Sequence, residues 1–152
     1  MLKKEKSQRR CLDVAYGLLA RREHSRSELQ NKLAQRDNCA EDDIDELLDL
    51  LAADNIQSDE RFVESMVRSA INKGQGPVKI RYKLQEHGVD SSLIAIYLDN
   101  AEVDWGDVLH QARCKRFGDT TPNDYPTQAK QSRFLAGRGF SAEMINKEFI
   151  YD

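Results

Sequence analysis

Apolar residues recur along this chain at steps of three and four, which is the spacing of one face of an α-helix. The groups are Leu12, Ala15, Tyr16 and Leu19; Ile44, Leu47, Leu48 and Leu51; Val63, Met66, Val67 and Ala70; Ile94, Tyr97, Leu98 and Ala101; and Trp105, Val108, Leu109 and Ala112. No segment of useful length alternates between apolar and polar residues with a period of two. The pattern therefore predicts an all-α protein without strands.

Residues suited to helix ends separate these groups. Ser25 with Glu28 forms a capping-box pair at the start of a second helix. Gly76 followed by Pro77 is typical of the start of another helix. The segment Asp119–Thr127, which holds Pro122 and Pro126, is the longest predicted loop. Together these signals predict nine helices in three groups of three.

One set of helical residues is written three times. Leu33, Leu84 and Leu135 are separated by steps of 51 residues, as are Gly88 and Gly139. A step of this length suits a unit of three short helices, and such units stack so that neighbours share a core. We therefore predict three tandem three-helix units, residues 8–54, 58–103 and 104–152, that form an elongated, curved body. The three leucines should be buried equally.

The chain is polar but is not a polycation, since 39% of its residues are hydrophobic, 32% are charged and the net charge is −3. This net charge argues against a general nucleic-acid binder. The charges are nevertheless segregated. An acidic block holds Glu41, Asp42, Asp43, Asp45, Glu46 and Asp49, and basic clusters hold Arg21, Arg22 and Arg26, then Lys79, Arg81 and Lys83, then Arg113, Lys115 and Arg116. They are either solvated helix faces or surfaces for a charged partner, and charge alone leaves both readings open.

The cysteines and the start of the chain bear on its compartment. Cys11, Cys39 and Cys114 are far apart and odd in number, which favours free thiols over a disulfide framework. No apolar run approaches the ~20 residues of a membrane-spanning helix. The first residues are positively charged, but the apolar core that a secretory signal requires does not follow them. We therefore expect a cytoplasmic protein.

No arrangement of residues predicts catalysis. Gly74-Gln75-Gly76 lacks the Gly-Lys-Ser/Thr ending of a phosphate-binding loop, and no strand precedes it as in a dinucleotide site. The histidines His24, His87 and His110 have no metal-ligand spacing with the cysteines, and we expect them at the surface or at an interface. The acidic block lacks the pattern of a calcium loop. We therefore expect no enzyme, no cofactor and no metal.

Three stretches of the chain share one resemblance. The first runs from Leu19 to Leu29 and continues to Lys32-Leu33. The second contains Ser58-Asp59-Glu60-Arg61-Phe62-Val63, then Lys73-Gly74-Gln75-Gly76-Pro77 and Ile80-Arg81, and the third is Arg133-Phe134-Leu135-Ala136-Gly137-Arg138-Gly139-Phe140. In this order they resemble the signatures of the RecX family, the small bacterial regulators of the RecA recombinase, with Gly137 where the family usually has an arginine. The resemblance extends from about Cys11 to Phe149.

The resemblance implies three tandem three-helix units, in agreement with the repeat. It also implies that the protein binds RecA and lodges in the groove of its filament on single-stranded DNA. There it would restrain strand exchange, ATP hydrolysis and co-protease activity, and so act in DNA recombination, DNA repair and the SOS response. Direct DNA binding would be secondary, and neither catalytic residues nor a cofactor would be needed. No dimerisation segment is apparent, so we expect a monomer.

Candidate partner-binding residues are the cations that recur beside equivalent core positions. Lys79 and Lys83 lie one turn apart on one helix face, and Lys32 is the position equivalent to Lys83 in the first unit. The family motifs support Arg22, Arg81 and Arg138 most directly. The predicted set for contact with RecA or DNA is Arg22, Arg26, Lys32, Lys79, Arg81, Lys83, Arg113, Lys115, Arg116 and Arg138. The alternative is a stand-alone DNA-binding protein that uses one unit as a helix-turn-helix, with Arg81 and Gln85 as possible base-reading residues.

Overall fold

The protein is helical throughout the part that the structure describes. The computed structural model describes residues 2–37, 39, 41–100 and 102–150, except for the side chains of Glu41 and Asp42. Within these residues there are nine helices and no strand: α1 Leu2–Arg21, α2 Arg26–Ala34, α3 Glu41–Ala53, α4 Asp59–Asn72, α5 Pro77–Glu86, α6 Ser91–Leu98, α7 Trp105–Phe117, α8 Tyr125–Gly137 and α9 Ala142–Ile150. The all-α prediction is confirmed. Ala101, which we expected at the end of one apolar face, lies outside the described residues, as do Tyr151 and Asp152 at the end of the third predicted unit.

The repeat is visible in the burial of its central positions. Leu33, Leu84 and Leu135 lie on α2, α5 and α8 and are each 0% exposed, as predicted. Gly88 and Gly139 follow α5 and α8 with positive φ of 70° and 99°, a conformation that favours glycine at the end of a helix. Val89 and Phe140 come next and are buried. The sequence repeat therefore corresponds to a repeated way of ending the middle helix and returning the chain to the core.

The described chain forms two compact units. Unit 1 comprises Met1–Ser65 with Glu86–Asp90, and unit 2 comprises Met66–Gln85 with Ser91–Asp152. The divisions fall inside α4 and α5, so these units are not the sequence repeats themselves.

Unit 1 has a core built from α1, α2 and α3. Its buried residues are Cys11, Ala15, Leu29, Leu33, Cys39, Ile44, Leu47, Leu48 and Leu51. The face predicted for α1 is rotated in the structure, because Cys11 and Ala15 form its centre and Tyr16 is 42% exposed. Ser25 caps α2 by accepting a hydrogen bond from the backbone N–H of Glu28 at 3.0 Å. The predicted cap is thus confirmed, although the Glu28 carboxylate pairs elsewhere.

Two of the three cysteines are joined. Cys11 in α1 and Cys39 before α3 form a disulfide across a sequence separation of 28 residues, with their Cα atoms 5.2 Å apart. The prediction of three free thiols is therefore wrong for this pair, and only Cys114 is free. Sequence distance was misleading because α1 and the connection after α2 pack on the same core.

Unit 2 has a core centred on α7, α8 and α9. Leu109, Leu135, Phe140 and Ile145 are buried there. The loop before α8 is shorter than predicted, since Pro126 lies in the first turn of α8 and Asp124 caps it by accepting a hydrogen bond from the Thr127 N–H at 2.9 Å. None of the described helices is long and apolar enough to cross a membrane.

Candidate partner-binding surface

The predicted cations of unit 1 are all engaged in ion pairs. Arg22 donates two hydrogen bonds to the Glu28 carboxylate, at 3.1 and 2.6 Å. Arg26 pairs with Asp49 at 2.8 Å, and the Lys32 ammonium lies 3.9 Å from Glu28. These contacts compensate the positive charge within the unit. The three residues therefore have a structural role that the sequence clusters did not reveal.

Glu28 is the centre of this network. Its side chain is nearly buried, and His87 Nδ1 lies 3.8 Å from the carboxylate. Burial alone would raise the pKa of Glu28, but the hydrogen bond and charge of Arg22, with the nearby histidines, outweigh burial and lower it. The same hydrogen bond raises the pKa of Arg22. The network therefore stabilises a charged carboxylate at the start of α2.

His24 is buried at 2% exposure, so it does not lie at the surface, which was one of the two positions expected for it. Loss of solvent lowers its pKa, which favours the neutral imidazole. Nδ1 lies 3.0 Å from the Arg22 carbonyl oxygen, and the Lys32 ammonium lies 3.1 Å from Nε2. In the neutral ring Nδ1–H donates to the carbonyl and Nε2 accepts from Lys32. Lys32 therefore satisfies a buried histidine as well as Glu28.

Two predicted cations of unit 2 are also internally paired. Arg81 donates to Asp99 at 2.5 Å. Arg113 is 2% exposed, and its Nε donates to Glu148 at 3.0 Å. A buried guanidinium held by a carboxylate is costly to expose. Arg113 therefore belongs to the interior of unit 2 and not to a partner surface.

The remaining cations of unit 2 differ from these. Across the described part of the chain, no carboxylate lies within 4 Å of the charged nitrogens of Lys79, Lys83, Lys115, Arg116 or Arg138, and the same holds for Lys73. The predicted set thus divides into residues neutralised within the protein and residues whose charge is left for solvent or a partner. All of the second group lie in unit 2.

Four of these cations line one groove, which we call the basic groove: Lys73, Lys115, Arg116 and Arg138. It has a volume of about 590 Å³, and its walls come from the end of α4, from α7 and from α8. Asp107 is the one carboxylate among its lining residues. Four positive charges therefore face a single negative charge, in a chain whose net charge is −3.

An aromatic side chain orders the arginines of the basic groove. The Phe134 ring lies 5.0 Å from the Arg138 guanidinium carbon and 5.9 Å from that of Arg116. Phe117 packs edge-on against Phe134 at 5.2 Å, and the Arg138 guanidinium also donates to the Lys73 carbonyl oxygen. Such contacts orient a guanidinium without cancelling its charge. The arginines of the basic groove are therefore held in place while they keep their positive charge.

The start of α5 is joined to the end of α8 beside the groove. The backbone N–H of Gly76 donates to the Arg138 carbonyl at 2.8 Å, and that of Val78 donates to the Gly139 carbonyl at 2.9 Å. Both glycines are required by this close approach, because a Cβ on Gly76 would overlap Gly139 and a Cβ on Gly139 would overlap Lys79. The junction places Lys79 next to Gly139, which directly follows Arg138.

Sequence reasoning missed Lys73 as a candidate. It stands immediately before Gly74, whose φ of 72° ends α4, and its backbone carbonyl accepts from Arg138. The available signal was its place in the motif Lys73-Gly74-Gln75-Gly76-Pro77. It was overlooked because it lies outside the regular basic clusters.

The free cysteine lies in a polar cluster that the sequence reading also missed. Cys114 Sγ lies 3.5 Å from His110 Nε2, and His110 Nδ1 lies 3.1 Å from the Glu148 carboxylate. His110 and Cys114 are one helical turn apart on α7. The histidine is therefore not isolated, contrary to the expectation from the sequence. The cavity beside His110 is lined by Arg113 and Glu148 but not by Cys114.

Comparisons with known proteins place these features in a family. Family models for the first, second and third three-helix domains of RecX match residues 11–51, 58–98 and 103–148. The regulatory protein RecX of Chromohalobacter salexigens is 46% identical over 88% of this chain and 86% of its own length. That of Pseudomonas entomophila is 43% identical over the same shares.

Solved structures agree in fold. The crystal structure of RecX from Lactobacillus salivarius superposes with a TM-score of 0.72 and 25% identity, covering 95% of both chains. A second crystal structure, of a regulatory protein RecX, gives a TM-score of 0.73 over 95% of this chain and 72% of its own. With three domain matches in order and relatives above 40% identity, this chain belongs to the RecX family of regulatory proteins.

Proposed function

We propose that this protein binds RecA in its filament on single-stranded DNA and inhibits the recombinase, ATPase and co-protease activities of that filament. Membership of the RecX family supports a regulatory role. The observation that carries the choice of surface is the group of six uncompensated cations in unit 2. The protein acts as a monomer in the cytoplasm, without a cofactor and without catalysis of its own.

The basic groove fits an extended anionic partner. A recombinase filament offers two sources of negative charge, the DNA phosphates and the acidic side chains of RecA. Uncompensated lysines and arginines attract either source over about 10 Å at moderate salt. Contacts with successive subunits of one filament add through effective concentration, so that individually weak contacts together give firm binding.

The binding residues that we propose are Lys73, Lys79, Lys83, Lys115, Arg116 and Arg138. Lys83 also donates to the Gln75 side chain at 3.3 Å, which positions its ammonium without neutralising it. Arg22, Arg26, Lys32, Arg81 and Arg113 are left out because carboxylates of the same unit already hold them. Their removal should affect stability more than binding.

The alternative, a stand-alone helix-turn-helix DNA-binding protein, is less well supported. Arg81, its proposed base-reading arginine, is in an ion pair with Asp99. Gln85 is exposed, but a single amide gives little sequence readout. The two functions are distinguished by comparing binding to RecA filaments with binding to naked single-stranded DNA.

Charge reversal in unit 2 tests the proposal. The variants are Lys79→Glu/Lys83→Glu on α5 and Lys115→Glu/Arg116→Glu in the basic groove. The matched control is Lys130→Glu/Arg133→Glu, which makes the same change in net charge at exposed positions of unit 2 outside the groove. Inhibition of RecA-driven strand exchange is measured across a salt titration, with circular dichroism as the check on folding.

Both test variants should inhibit less well than the wild type, most clearly at low salt where surface charges are least screened. The control should inhibit as the wild type does. If a test variant inhibits equally at every salt concentration, the surface that it alters does not touch the filament. If test and control variants lose inhibition together, net charge and not this surface is responsible.

A further inference from the structure

The disulfide joins the part of α1 that is buried to the connection that leads into α3. Residues 2–10 of α1 are exposed or half-buried, and Cys11 is the first buried residue of the helix at 1% exposure. Cys39, its partner, is 9% exposed. Ahead of Cys11, Gln8 Nε2 also donates a hydrogen bond to Asp43 Oδ1 of α3 at 3.0 Å. The disulfide is thus a covalent link between α1 and the segment that leads into α3.

The surroundings of the two sulfurs suit a reduced state as well. Both lie in the apolar core of unit 1 with Ala15, Leu29 and Leu33. A buried thiol behaves as a small hydrophobic group, so the core can hold two thiols in place of one disulfide. Reduction gives two neutral thiols, which leave no unpaired charge in this core.

The compartment decides how such a bond is used. Disulfides in cytosolic proteins are usually transient, and are catalytic or redox-sensing. A protein that regulates a filament on DNA works in that reducing environment. The inference rests on the proposed function in one respect only, the assumption that the protein works in a reducing compartment.

We propose that Cys11 and Cys39 form a thiol–disulfide switch that sets how firmly α1 is held in unit 1. The oxidant is a low-molecular-weight disulfide of the glutathione class. The thiolate of one cysteine attacks that disulfide and releases one glutathione thiol, giving a mixed disulfide. The second cysteine then attacks the mixed disulfide and releases the second glutathione. Two protein thiols and one glutathione disulfide thus become one protein disulfide and two glutathione thiols.

The oxidised state restricts the unfolded chain, while the reduced state lets α1 separate from α3 more readily. Closing a loop of this length makes unit 1 open less often by a factor of roughly several hundred in the chain-entropy picture. The charged network at Arg22, Glu28 and Lys32 follows directly after α1, in the same unit. Oxidation should therefore also protect the amides that surround that network.

The test uses the full chain carrying Cys114→Ser, so that thiol titration reports only the pair. The protein is equilibrated in glutathione buffers that range from fully reduced to fully oxidised. Thiols are counted after acid quench, and hydrogen exchange is followed by mass spectrometry in α1, α2 and α3. A Cys11→Ala/Cys39→Ala variant shows which changes come from glutathione itself. None of these readouts needs RecA or DNA, so their failure is separate from failure of the proposed function.

We expect two thiols in reduced buffer and none in oxidised buffer. Hydrogen exchange in α1 should be slower in oxidised than in reduced buffer when both cysteines are present, and should not change between the buffers in the double-alanine variant. A disulfide that persists in a large excess of reduced glutathione would make the bond permanent and overturn the switch. Two thiols that remain in fully oxidised buffer would overturn it as well. Identical exchange in both states would show that the bond has no conformational effect, and would also refute the proposal.

Discussion

The junction between α5 and α8 offers a sharp test, because two glycines two residues apart should respond oppositely to the same substitution. Gly139 has a φ of 99°, and a Cβ at this position would overlap Lys79 Cβ and lie 2.8 Å from the Lys79 backbone nitrogen. Gly137 is the last residue of α8, and a Cβ there meets nothing within 4 Å. The paired variants are Gly139→Ala and Gly137→Ala.

The magnitudes follow from these contacts. An alanine forced into a positive-φ conformation costs about 1–3 kcal/mol. The overlap involves a Cβ and a backbone atom, which cannot rotate away, so the start of α5 must move from the end of α8. Loss of one of the two hydrogen bonds of the junction adds roughly 0.5–1.5 kcal/mol. Gly139→Ala should therefore destabilise by about 2–4 kcal/mol, whereas Gly137→Ala should be neutral or stabilise by up to ~1 kcal/mol through helix propensity.

Thermal and urea unfolding of the three proteins, followed by far-ultraviolet circular dichroism, measure these changes. For a chain of this size each kcal/mol shifts the midpoint by roughly 2–4 °C. Gly139→Ala should therefore melt below the wild type, and Gly137→Ala should melt with the wild type or above it. A Gly139→Ala protein that melts with the wild type would show that the junction does not need glycine. Equal losses in both variants would show that a general glycine requirement, and not the Lys79 contact, is responsible.

Two further predictions concern the core and the buried histidine. Leu84→Ala should destabilise by roughly 2–5 kcal/mol in urea unfolding because Leu84 is fully buried, whereas Tyr82→Ala, at a position 63% exposed, should change stability little. The lowered pKa of His24 means that the unfolded chain binds more protons than the folded one as pH falls below the ordinary value of 6.5. Stability should therefore decline from about pH 6.5 downward, and His24→Gln should flatten this decline; an unchanged pH profile would contradict the buried neutral imidazole.

The helices and their repeat could be predicted because they depend on local spacing. Leu33, Leu84 and Leu135 keep one register over three copies, and all three are fully buried. However, the spacing of apolar residues predicts which side of a helix is buried only to within a fraction of a turn. Tyr16 fits the predicted face of α1, yet it is exposed because Cys11 and Ala15 turn that face toward the core.

The division of the cations could not be predicted, because it depends on which carboxylate folding brings near. Arg113 and Arg116 stand three residues apart on α7, and both read as members of one basic cluster. Arg113 meets Glu148 of α9, 35 residues later in the chain, and is buried. Arg116 instead stacks on aromatic rings and keeps its charge uncompensated. The Cys11–Cys39 pair was missed for the same reason, since sequence distance says little about distance in a packed core.

The repeat nevertheless explains why the uncompensated cations of the predicted set lie in unit 2. The start of α2 meets the end of α5 as the start of α5 meets the end of α8: Ser25 Oγ donates to the His87 carbonyl at 2.7 Å, and Gly76 N–H donates to the Arg138 carbonyl. These residues are related by the step of 51.

The same step relates Glu28 to Lys79. The two junctions therefore carry side chains of opposite charge at this equivalent position. In unit 1 the carboxylate of Glu28 lies 3.8 Å from His87 and also binds Arg22, so the junction is neutralised from within. In unit 2 a lysine occupies that position beside Arg138, and two like charges remain. The fold tolerates either charge at this position, since both junctions are formed. Lys79→Glu in the charge-reversal experiment should therefore remove positive charge from the proposed binding surface while leaving the junction intact, which separates an effect on binding from an effect on folding.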